Sequence, residues 1–276
     1  MVAAMSLPIL PSHRTLDTDD LVRFFYQAET DWGRQLAEEV TLDAGRALAS
    51  RELAGVSDAN QVVDAAIPDG GTAESTVAEA AAHFAQHGST VLKWVMNPSL
   101  PAARTQPLAE HVAAHGFHPR GYDIYDLAGR PAGAIAEVPG LTIIPARASF
   151  RQTRAIAEEA AAHFNFPQLA EAIVLHIEDP QTDALLALRD GAPAAYVSIL
   201  NMGEVGYISE LFVSEKSRGQ GVGRTMMSRA MEACARALHR HVFIGVDATN
   251  APAVHLYERF GFKRIGVFLF YSKTKL

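Results

Sequence analysis

A glycine-rich turn in the second half of the chain is the segment best suited to chemistry. Residues 210–227 read ELFVSEKSRGQGVGRTMM, where a β-type run ends at Val213 and a helix pattern follows the turn. Glycine lets the backbone approach a ligand closely, and the free amides at a helix N-terminus favour an anion. Two arginines flank the turn and add positive charge. The pattern predicts a phosphate site formed by Arg218, Gly219, Gln220, Gly221, Val222, Gly223 and Arg224.

The spacing of these glycines excludes two common nucleotide loops. The dinucleotide fingerprint G-x-G-x-x-G, begun at Gly219, requires a glycine where Arg224 stands. A Walker A loop requires Lys-Ser or Lys-Thr after the glycines, and this stretch has neither. A glycine turn that serves packing alone stays open as an alternative, although the flanking arginines argue against it.

Two segments together resemble the GNAT superfamily of N-acetyltransferases. The turn is similar to that family's R/Q-x-x-G-x-G/A pyrophosphate loop, which follows a strand ending in L-F-V. Residues 250–262, NAPAVHLYERFGF, resemble the family's second signature, N-x-x-A-x-x-L-Y-x-x-x-G-F. Two signatures in the right order are far more specific than either alone. The resemblance covers residues 141–276 well and the first half only in part.

The resemblance implies acetyl-CoA as the ligand and assigns roles by position. The residues that would line the pantetheine arm are Leu211, Phe212 and Val213. Residues 218–224 would hold the pyrophosphate, chiefly through main-chain amides. Asn250 would contact the cofactor arm or fix a splayed strand, and Tyr257 would lie near the thioester sulfur.

Acetyl transfer to an amine needs a base and an acid. An aliphatic amine has a pKa near ~10, so it must lose a proton before it attacks a thioester. A free strand amide suits the oxyanion and a phenol suits the departing thiolate, which makes Tyr257 the candidate general acid. Glu210 is the nearest carboxylate and the candidate base. A water path, or a surface or capping role for Glu210, stays open because side chains alternate along a strand. In some family members an acid stands further back, near the position of Tyr207.

The elements that position these residues alternate between strands and helices from residue 141 onward, which indicates an α/β or α+β domain with a central sheet. The resemblance implies a mixed, mostly antiparallel sheet flanked by helices. The first half is predicted to be rich in helices, with helical spacing across residues 32–53. Gly, Pro and Ala concentrate between the halves. The predicted domains are therefore 1–130 and 141–276, joined by a linker at 131–140.

A repeated corner links the two halves. The first half contains AAHGFHPRGYDIYDL and the second ERFGFKRIGVFLFYS, which match when Gly116 is set against Gly261, 145 residues apart. At this offset Val112 takes the place of Tyr257, and no glycine loop matches the second-half turn. We therefore predict a degenerate GNAT-like domain in the first half that shapes the acceptor site or a dimer surface. An unrelated helical domain is the alternative.

Other residue types give weaker signals. No metal site is predicted, because the closely spaced histidines lack an H-E-x-x-H pattern; they are His83, His87, His111, His115 and His118. Cys234 lies in the apolar stripe of the helix after the glycine turn and is predicted to be a core residue. Phe164 and Phe166 either border the acceptor pocket or belong to the core.

Composition limits the partners. The chain has 276 residues, a formal net charge of −7 and a single cysteine. The negative charge disfavours nucleic acid and anionic lipid, and the lone cysteine suits a reducing compartment. No apolar run approaches the ~18 residues that would cross a bilayer, and the N-terminus lacks a signal-peptide pattern. We expect a cytoplasmic protein without a membrane partner, and a homodimer stays open.

The predicted function is N-acetyl transfer, in which an acetyl group moves directly from acetyl-CoA to a primary amine of a small molecule or peptide. The alternative is a sensor or scaffold that binds CoA or acyl-CoA without turnover. The presence of both Tyr257 and the glycine turn favours the enzyme. No motif specifies the acceptor, although the tandem organisation is similar to that of mycothiol-synthase-type enzymes.

Overall fold

One continuous sheet runs through both halves of the chain in the computed structural model, which describes residues 16–128 and 138–273. Its strands are β1 (Glu38–Leu42), β2 (Gly45–Ala49), β3 (Gln61–Ala65), β4 (Lys93–Met96), β5 (His118–Ala128), β6 (Leu141–Pro145), β7 (Thr182–Arg189), β8 (Ala192–Met202), β9 (Val205–Val213), β10 (His241–Val246) and β11 (Lys263–Ser272). The helices are α1 (Thr18–Arg34), α2 (Ala73–Gln86), α3 (Ala102–Ala114), α4 (Phe150–His163), α5 (Leu169–Glu178), α6 (Val222–Arg236) and α7 (Ala251–Phe260). None of these helices is long and apolar enough to cross a bilayer. Most of the linker predicted at 131–140 lies outside the described residues.

The strand order confirms the predicted kind of sheet. From one edge to the other the described strands run β1-β2-β3-β4-β11-β5-β10-β9-β8-β7-β6. The β3–β4 and β9–β10 pairs are parallel. The remaining neighbours within the described ranges are antiparallel. The sheet is therefore mixed and mostly antiparallel, and it is flanked by helices.

The two halves exchange their last strands. β5 of the first half lies between β10 and β11, and β11 of the second half lies between β4 and β5. β5 and β11 pair with each other, with Gly266 opposite Ile124 and Leu269 opposite Gly121. Ile124 matches Leu269 in the repeat, and Gly266 matches Gly121, each 145 residues apart. The repeat therefore maps the first pair onto the second. Equivalent strands thus meet antiparallel about a local two-fold axis.

Each exchanged strand follows a helix that has a glycine one or two residues after its last residue. The φ angle is +85° at Gly116 and +94° at Gly261, in the left-handed region that glycine enters without strain. The repeated corner of the sequence is therefore a repeated local structure. Val112, which matches Tyr257 in this alignment, is fully buried in the core under α2 and α3.

The helix predicted across residues 32–53 is wrong beyond Arg34. The chain instead forms the hairpin of β1 and β2, in which Val40 pairs with Ala47. Ala47 is fully buried in the cluster under α2 and α3. Burial within a sheet overrides the helical propensity of such an alanine-containing segment. The spacing does not predict β3 either.

Helices cover both faces of the sheet in the second half. Val197 and Ile208 belong to the cluster under α6 and α7. Their strand neighbours join other clusters, Tyr196 the one under α4 and α5 and Tyr207 the one under α1. Because side chains alternate along a strand, α6 and α7 cover one face, called here the α6/α7 face. Helices α1, α4 and α5 cover the other, called here the α4/α5 face.

Candidate active site

The sheet opens between β9 and β10. Their parallel pairing ends at Ile208, although β9 continues to Val213. A bulge follows at once, because β8 pairs with Ile208 and then with Glu210 and skips Ser209. Such a bulge bends the strand that carries it. Beyond the bulge one edge of β9 has no partner among the described strands, so a ligand can add to it as a strand would. The predicted pantetheine-lining residues lie on this edge: Leu211, Phe212 and Val213.

The glycine turn after β9 presents free amides. Gly219 has a φ of +72° and Gly221 a φ of +81°. Gly221 is the N-cap of α6 and has no side chain to cap it. The first helical hydrogen bond runs from the amide of Thr225 to the carbonyl of Gly221 over 3.0 Å. The preceding amides of the first turn therefore have no acceptor within the helix and point toward an anion site.

Side chains of the turn hold it in shape. The guanidinium of Arg189 donates to the Gln220 side-chain oxygen, and Gln220 Nε2 donates to the carbonyl of Lys216 over 2.7 Å. Val222 is buried in the cluster under α6. A Cβ atom on Gly223 would lie 3.4 Å from a methyl of Val213, which shows how closely helix and strand pack there. These contacts leave main-chain groups as the ligand-facing part of the turn.

Arg218 and Arg224 provide the positive charge near the turn. Arg218 Nε donates to the carbonyl of Val213 over 3.1 Å, and its guanidinium lies 5.7 Å from the centre of the Phe212 ring. Its Nη2 atom is 3.3 Å from Nε2 of His163. Arg218 is exposed at the end of the open edge of β9, and Arg224 is exposed in the first turn of α6. Both are accessible to a pyrophosphate.

Helix α2 of the first half connects the parallel strands β3 and β4, as α6 connects β9 and β10, but the amides at its N-terminus are capped. Helix α2 begins with a capping box, in which Thr72 Oγ1 accepts from the amide of Ser75 over 3.1 Å. Ile67, two residues after β3, is also held in place, because its amide donates to the carbonyl of Arg104 and the Arg104 side chain donates to the carbonyl of Ile67. Amides that are already satisfied offer little to a phosphate. The features of a pyrophosphate site are present at α6 and missing at α2.

Glu210 is a half-buried carboxyl that lacks a full set of partners. Its Oε2 atom is enclosed and has no hydrogen-bond partner within the described ranges. Burial raises the pKa of Glu210 to about 7; the nearby Tyr196 hydroxyl opposes this rise and the charge of Asp58 adds to it. A carboxyl with a pKa near neutrality is suited to take up and release a proton at neutral pH.

Tyr257 is a buried phenol on α7. It is 7% exposed and packs beside Phe262, with ring centres 6.1 Å apart. Burial raises the pKa of Tyr257 to about 12. The hydroxyl therefore keeps its proton at neutral pH, as a general acid must.

The two candidate catalytic residues belong to opposite faces of the opened sheet. Tyr257 packs in the cluster under α6 and α7. Glu210 stands two residues before Phe212, which belongs to the cluster under α4 and α5, and it interacts with Tyr196 of that same cluster. Between β9 and β10, beyond Ile208, no strand pairing separates the two faces of the sheet. The roles of Tyr257 as acid and of Glu210 as base stay predictions.

Asn250 lies at the start of α7. It is the N-cap of this helix, and its Oδ1 atom accepts from the amide of Ala253 over 3.3 Å. This contact fixes the start of the helix that carries Tyr257. The predicted contact of Asn250 with the cofactor arm stays a prediction.

The structure adds a carboxylate that sequence reasoning missed. The hydroxyl of Tyr207 donates to Oε1 of Glu29, which α1 brings from the first half. Glu29 is separated from Tyr207 by 178 residues, so no spacing pattern could have joined them. The one available signal was the position of Tyr207, where some family members carry an acid.

The weaker signals of the sequence have structural explanations. Cys234 is buried in the α6 core, as predicted. His115 Nδ1 lies 2.7 Å from the carbonyl of His111, and the described residues contain no group of three potential metal ligands. Phe164 is 61% exposed, with its ring centre 6.3 Å from that of Phe212, whereas Phe166 packs in a cluster with residues of the first half. Phe164 is therefore the one of the two phenylalanines that is placed at the α4/α5 face near the opened edge.

Residues 150–262 match the family model described as the acetyltransferase (GNAT) family. Among curated proteins, the mycothiol acetyltransferase of Acidothermus cellulolyticus is 33% identical over 87 residues, which are 30% of this chain and 27% of that protein. The spermidine N(1)-acetyltransferase of Vibrio cholerae is 28% identical over 108 residues, 37% of this chain and 61% of that protein. The chain thus spans less than two thirds of the length of either relative.

Solved structures share the fold over more of the chain. A GCN5-related N-acetyltransferase from Kribbella flavida superposes with a TM-score of 0.62 at 14% identity, covering 91% of this chain and 95% of that one. A tandem GNAT protein from the clavulanic acid biosynthesis pathway gives a TM-score of 0.53 at 19% identity, covering 74% of this chain and 70% of that one. At such identities the likeness establishes the fold, including its two-part form.

Proposed function

Because residues 150–262 are a GNAT acetyltransferase domain, we propose that this protein transfers an acetyl group from acetyl-CoA directly to a primary amine of a small molecule or peptide. The observation that carries the proposal is the opened strand pair, where the free edge of β9 and the uncapped start of α6 adjoin. Both curated relatives are named as acetyltransferases, and the name of the second, spermidine N(1)-acetyltransferase, supports an amine acceptor.

In this proposal each candidate residue has one task. Acetyl-CoA supplies the acetyl group and a thiolate leaving group. Residues 218–224 bind its pyrophosphate, chiefly through main-chain amides, and the free edge formed by residues 211–213 binds its arm and donates to the oxyanion. Glu210 takes a proton from the acceptor ammonium, directly or through a water. The amine attacks the thioester carbon, the carbon–sulfur bond breaks, and the Tyr257 hydroxyl gives a proton to the departing sulfur. The nitrogen loses its second proton as the amide forms, and that proton restores the Tyr257 hydroxyl.

We also propose the domain limits 1–130 and 141–276, with the first domain a copy that has lost its cofactor site. The shared corner at Gly116 and Gly261 and the exchanged strands support a common origin of the two halves. The capped start of α2 and the apolar Val112 support the loss of binding and catalysis in the first half. A cytoplasmic location and a homodimer stay predictions.

A thiol-release assay tests the function. Acetyl-CoA would be incubated with the protein and a panel containing spermidine, an aminoglycoside and a peptide with a free N-terminus, and free CoA thiol would be followed. We expect release that depends on one of these amines. Tight CoA binding without release for any acceptor would favour the alternative, a sensor or scaffold.

Replacing Tyr257 with phenylalanine is expected to lower kcat roughly 10- to 100-fold, because the sulfur then leaves without a positioned proton donor. The ring and its packing beside Phe262 remain, so the Kd for acetyl-CoA should change little. Phe262→Leu, which alters the same packing without removing a hydroxyl, is the control. Unchanged turnover in Tyr257→Phe would remove the general-acid role.

Titration calorimetry is expected to give one acetyl-CoA per chain. The start of α6 has free amides, whereas the start of α2 is capped by Thr72 and Ser75. Thr72→Gly, which opens the cap, is the matched control and should leave the stoichiometry at one, because the first half also lacks the opened edge. Two equivalent sites per chain would contradict the assignment of the first half as a non-binding copy.

A further inference from the structure

We propose that Glu29 of the first half is a positioning residue for Glu210, because it accepts the Tyr207 hydroxyl and so fixes β9 where this strand leaves β10. The inference rests on the proposed function, in which Glu210 is the base. It assigns to the first half a direct part in the geometry of the reaction centre.

The contact belongs to a buried network that crosses between the halves. Lys93 Nζ lies 2.7 Å from Oδ1 of Asp58 and 3.7 Å from Oε2 of Glu29, and the other oxygen of Glu29 accepts from Tyr207. The Lys93 ammonium also lies 4.8 Å from the centre of the Phe270 ring of β11. Lys93, Glu29 and Tyr207 are all buried. The hydroxyl is therefore held in one direction by a carboxylate that is itself held in place.

Two carboxylates share the single ammonium of this network. Burial raises the pKa of Glu29, and Lys93 only partly offsets that rise. Burial alone would lower the pKa of Lys93, but Asp58 and Glu29 outweigh it and raise that pKa. An apolar side chain of similar size would fill the space of Glu29 without the cost of burying a carboxyl. Burying Glu29 therefore costs free energy that packing alone does not require. What the carboxylate adds is a fixed orientation of the Tyr207 side chain.

The position of Tyr207 along β9 is what connects it to the reaction. Tyr207 pairs with Phe243 of β10 and is followed by Ile208, the last residue that β10 pairs with. The bulge at Ser209 and the carboxyl of Glu210 come next. Beyond Ile208 β8 is the one described strand that still pairs with β9, so the anchor at Tyr207 is the last side-chain contact that fixes the strand before the bulge and Glu210. The rings of Phe25 and Trp32 on α1 flank Tyr207 at 5.4 and 6.5 Å between centres, which confines the hydroxyl further.

Four variants separate positioning from packing. Glu29→Leu and Tyr207→Phe each remove the hydrogen bond. Glu29→Gln keeps an acceptor oxygen for the hydroxyl and serves as the conservative rescue. Gln35→Leu is the matched control, because Gln35 is the C-cap residue of the same helix and makes part-buried contacts across the halves to His176 and Thr182, neither of which lies on β9.

The readouts are kcat and KM for acetyl-CoA with the best acceptor of the amine panel, and amide hydrogen exchange along residues 205–213. We expect Glu29→Leu and Tyr207→Phe to lower kcat about tenfold or more with KM nearly unchanged, since a displaced base loses alignment and not cofactor binding. Exchange along β9 should speed up in both. Glu29→Gln and Gln35→Leu should retain the wild-type kcat within about threefold, and the double variant of Glu29 and Tyr207 should be no worse than the worse single one.

Equal kcat in Glu29→Leu and Gln35→Leu, or failure of Glu29→Gln to retain activity, would overturn the proposal. If Glu29→Leu does not fold, Tyr207→Phe against Glu29→Gln decides the question. If the wild-type protein acetylates no amine, the proposed function fails, and the exchange data still report whether Glu29 holds β9. Unchanged exchange in Tyr207→Phe would then overturn the anchoring by itself.

Discussion

Replacing Glu210 with glutamine is expected to lower kcat by about two to three orders of magnitude, because the proposed base can no longer accept a proton. The wild-type rate should fall as the pH drops below about 7, the value to which burial raises the pKa of Glu210. The sign follows from the role: a base works deprotonated, so activity is present above this pKa and lost below it. In a kcat–pH profile, the Glu210→Gln variant should not show this fall in kcat below about pH 7.

A stability measurement separates this effect from unfolding. The folded-state pKa of Glu210 lies above its ordinary value of 4.5, so the folded protein loses stability as the pH rises from about 4.5 through 7. Glutamine removes that penalty, and the Tm of Glu210→Gln at pH 8 should be no lower than that of the wild type. Glu204→Gln, at the exposed turn before β9, is the matched control and should keep full activity. Full activity in Glu210→Gln would assign proton removal to a water path.

Replacing Gly221 with glutamate is expected to raise the Kd for acetyl-CoA by about 100-fold or more. Gly221 has a φ of +81°, and its Cβ would stand 3.4 Å from a methyl of Val138. The added carboxylate would also lie at the positive end of α6, where the pyrophosphate is proposed to bind, and like charges there repel. Calorimetry with acetyl-CoA and with CoA measures the change.

Gly203→Glu controls for backbone strain and added charge. Gly203 has a φ of +64° in the turn between β8 and β9, with open space around it. This variant carries the same conformational cost and the same carboxylate far from α6, so its Kd should match that of the wild type. If both variants raise the Kd for acetyl-CoA equally, the cause is a loss of stability. If Gly221→Glu leaves the Kd unchanged, the pyrophosphate does not bind at the start of α6.

The local parts of the site were predictable from the sequence. A strand, a glycine turn and a helix follow one another within residues 205–236, so backbone freedom and the free amides of the helix could be inferred from residue order alone. The open edge beyond Ile208 was expected only through the family resemblance. The hairpin of β1 and β2 was not predicted, because β2 becomes a strand through burial against α2 and α3, and the exposed β1 through pairing with β2.

The environment of each catalytic candidate could not be predicted. Nothing in the order of residues around Glu210 shows that burial raises its pKa to about 7, or that its Oε2 atom has no hydrogen-bond partner within the described residues. The link from Tyr207 to Glu29 depends on where α1 crosses the sheet. Such contacts come from packing between distant segments, which local patterns do not encode.

The exchanged strands also determine when the protein can become complete during synthesis. β11 follows every other described element in the chain, yet it fills the place between β4 and β5 in the first half. Until residues 263–272 have left the ribosome, one edge of β4 has no strand to pair with and the sheet of the first half stays incomplete. Pairings across such sequence distances form slowly, and unpaired edges invite association with other chains. We therefore expect the two halves to fold and unfold in one cooperative transition, and neither to persist as a separate piece.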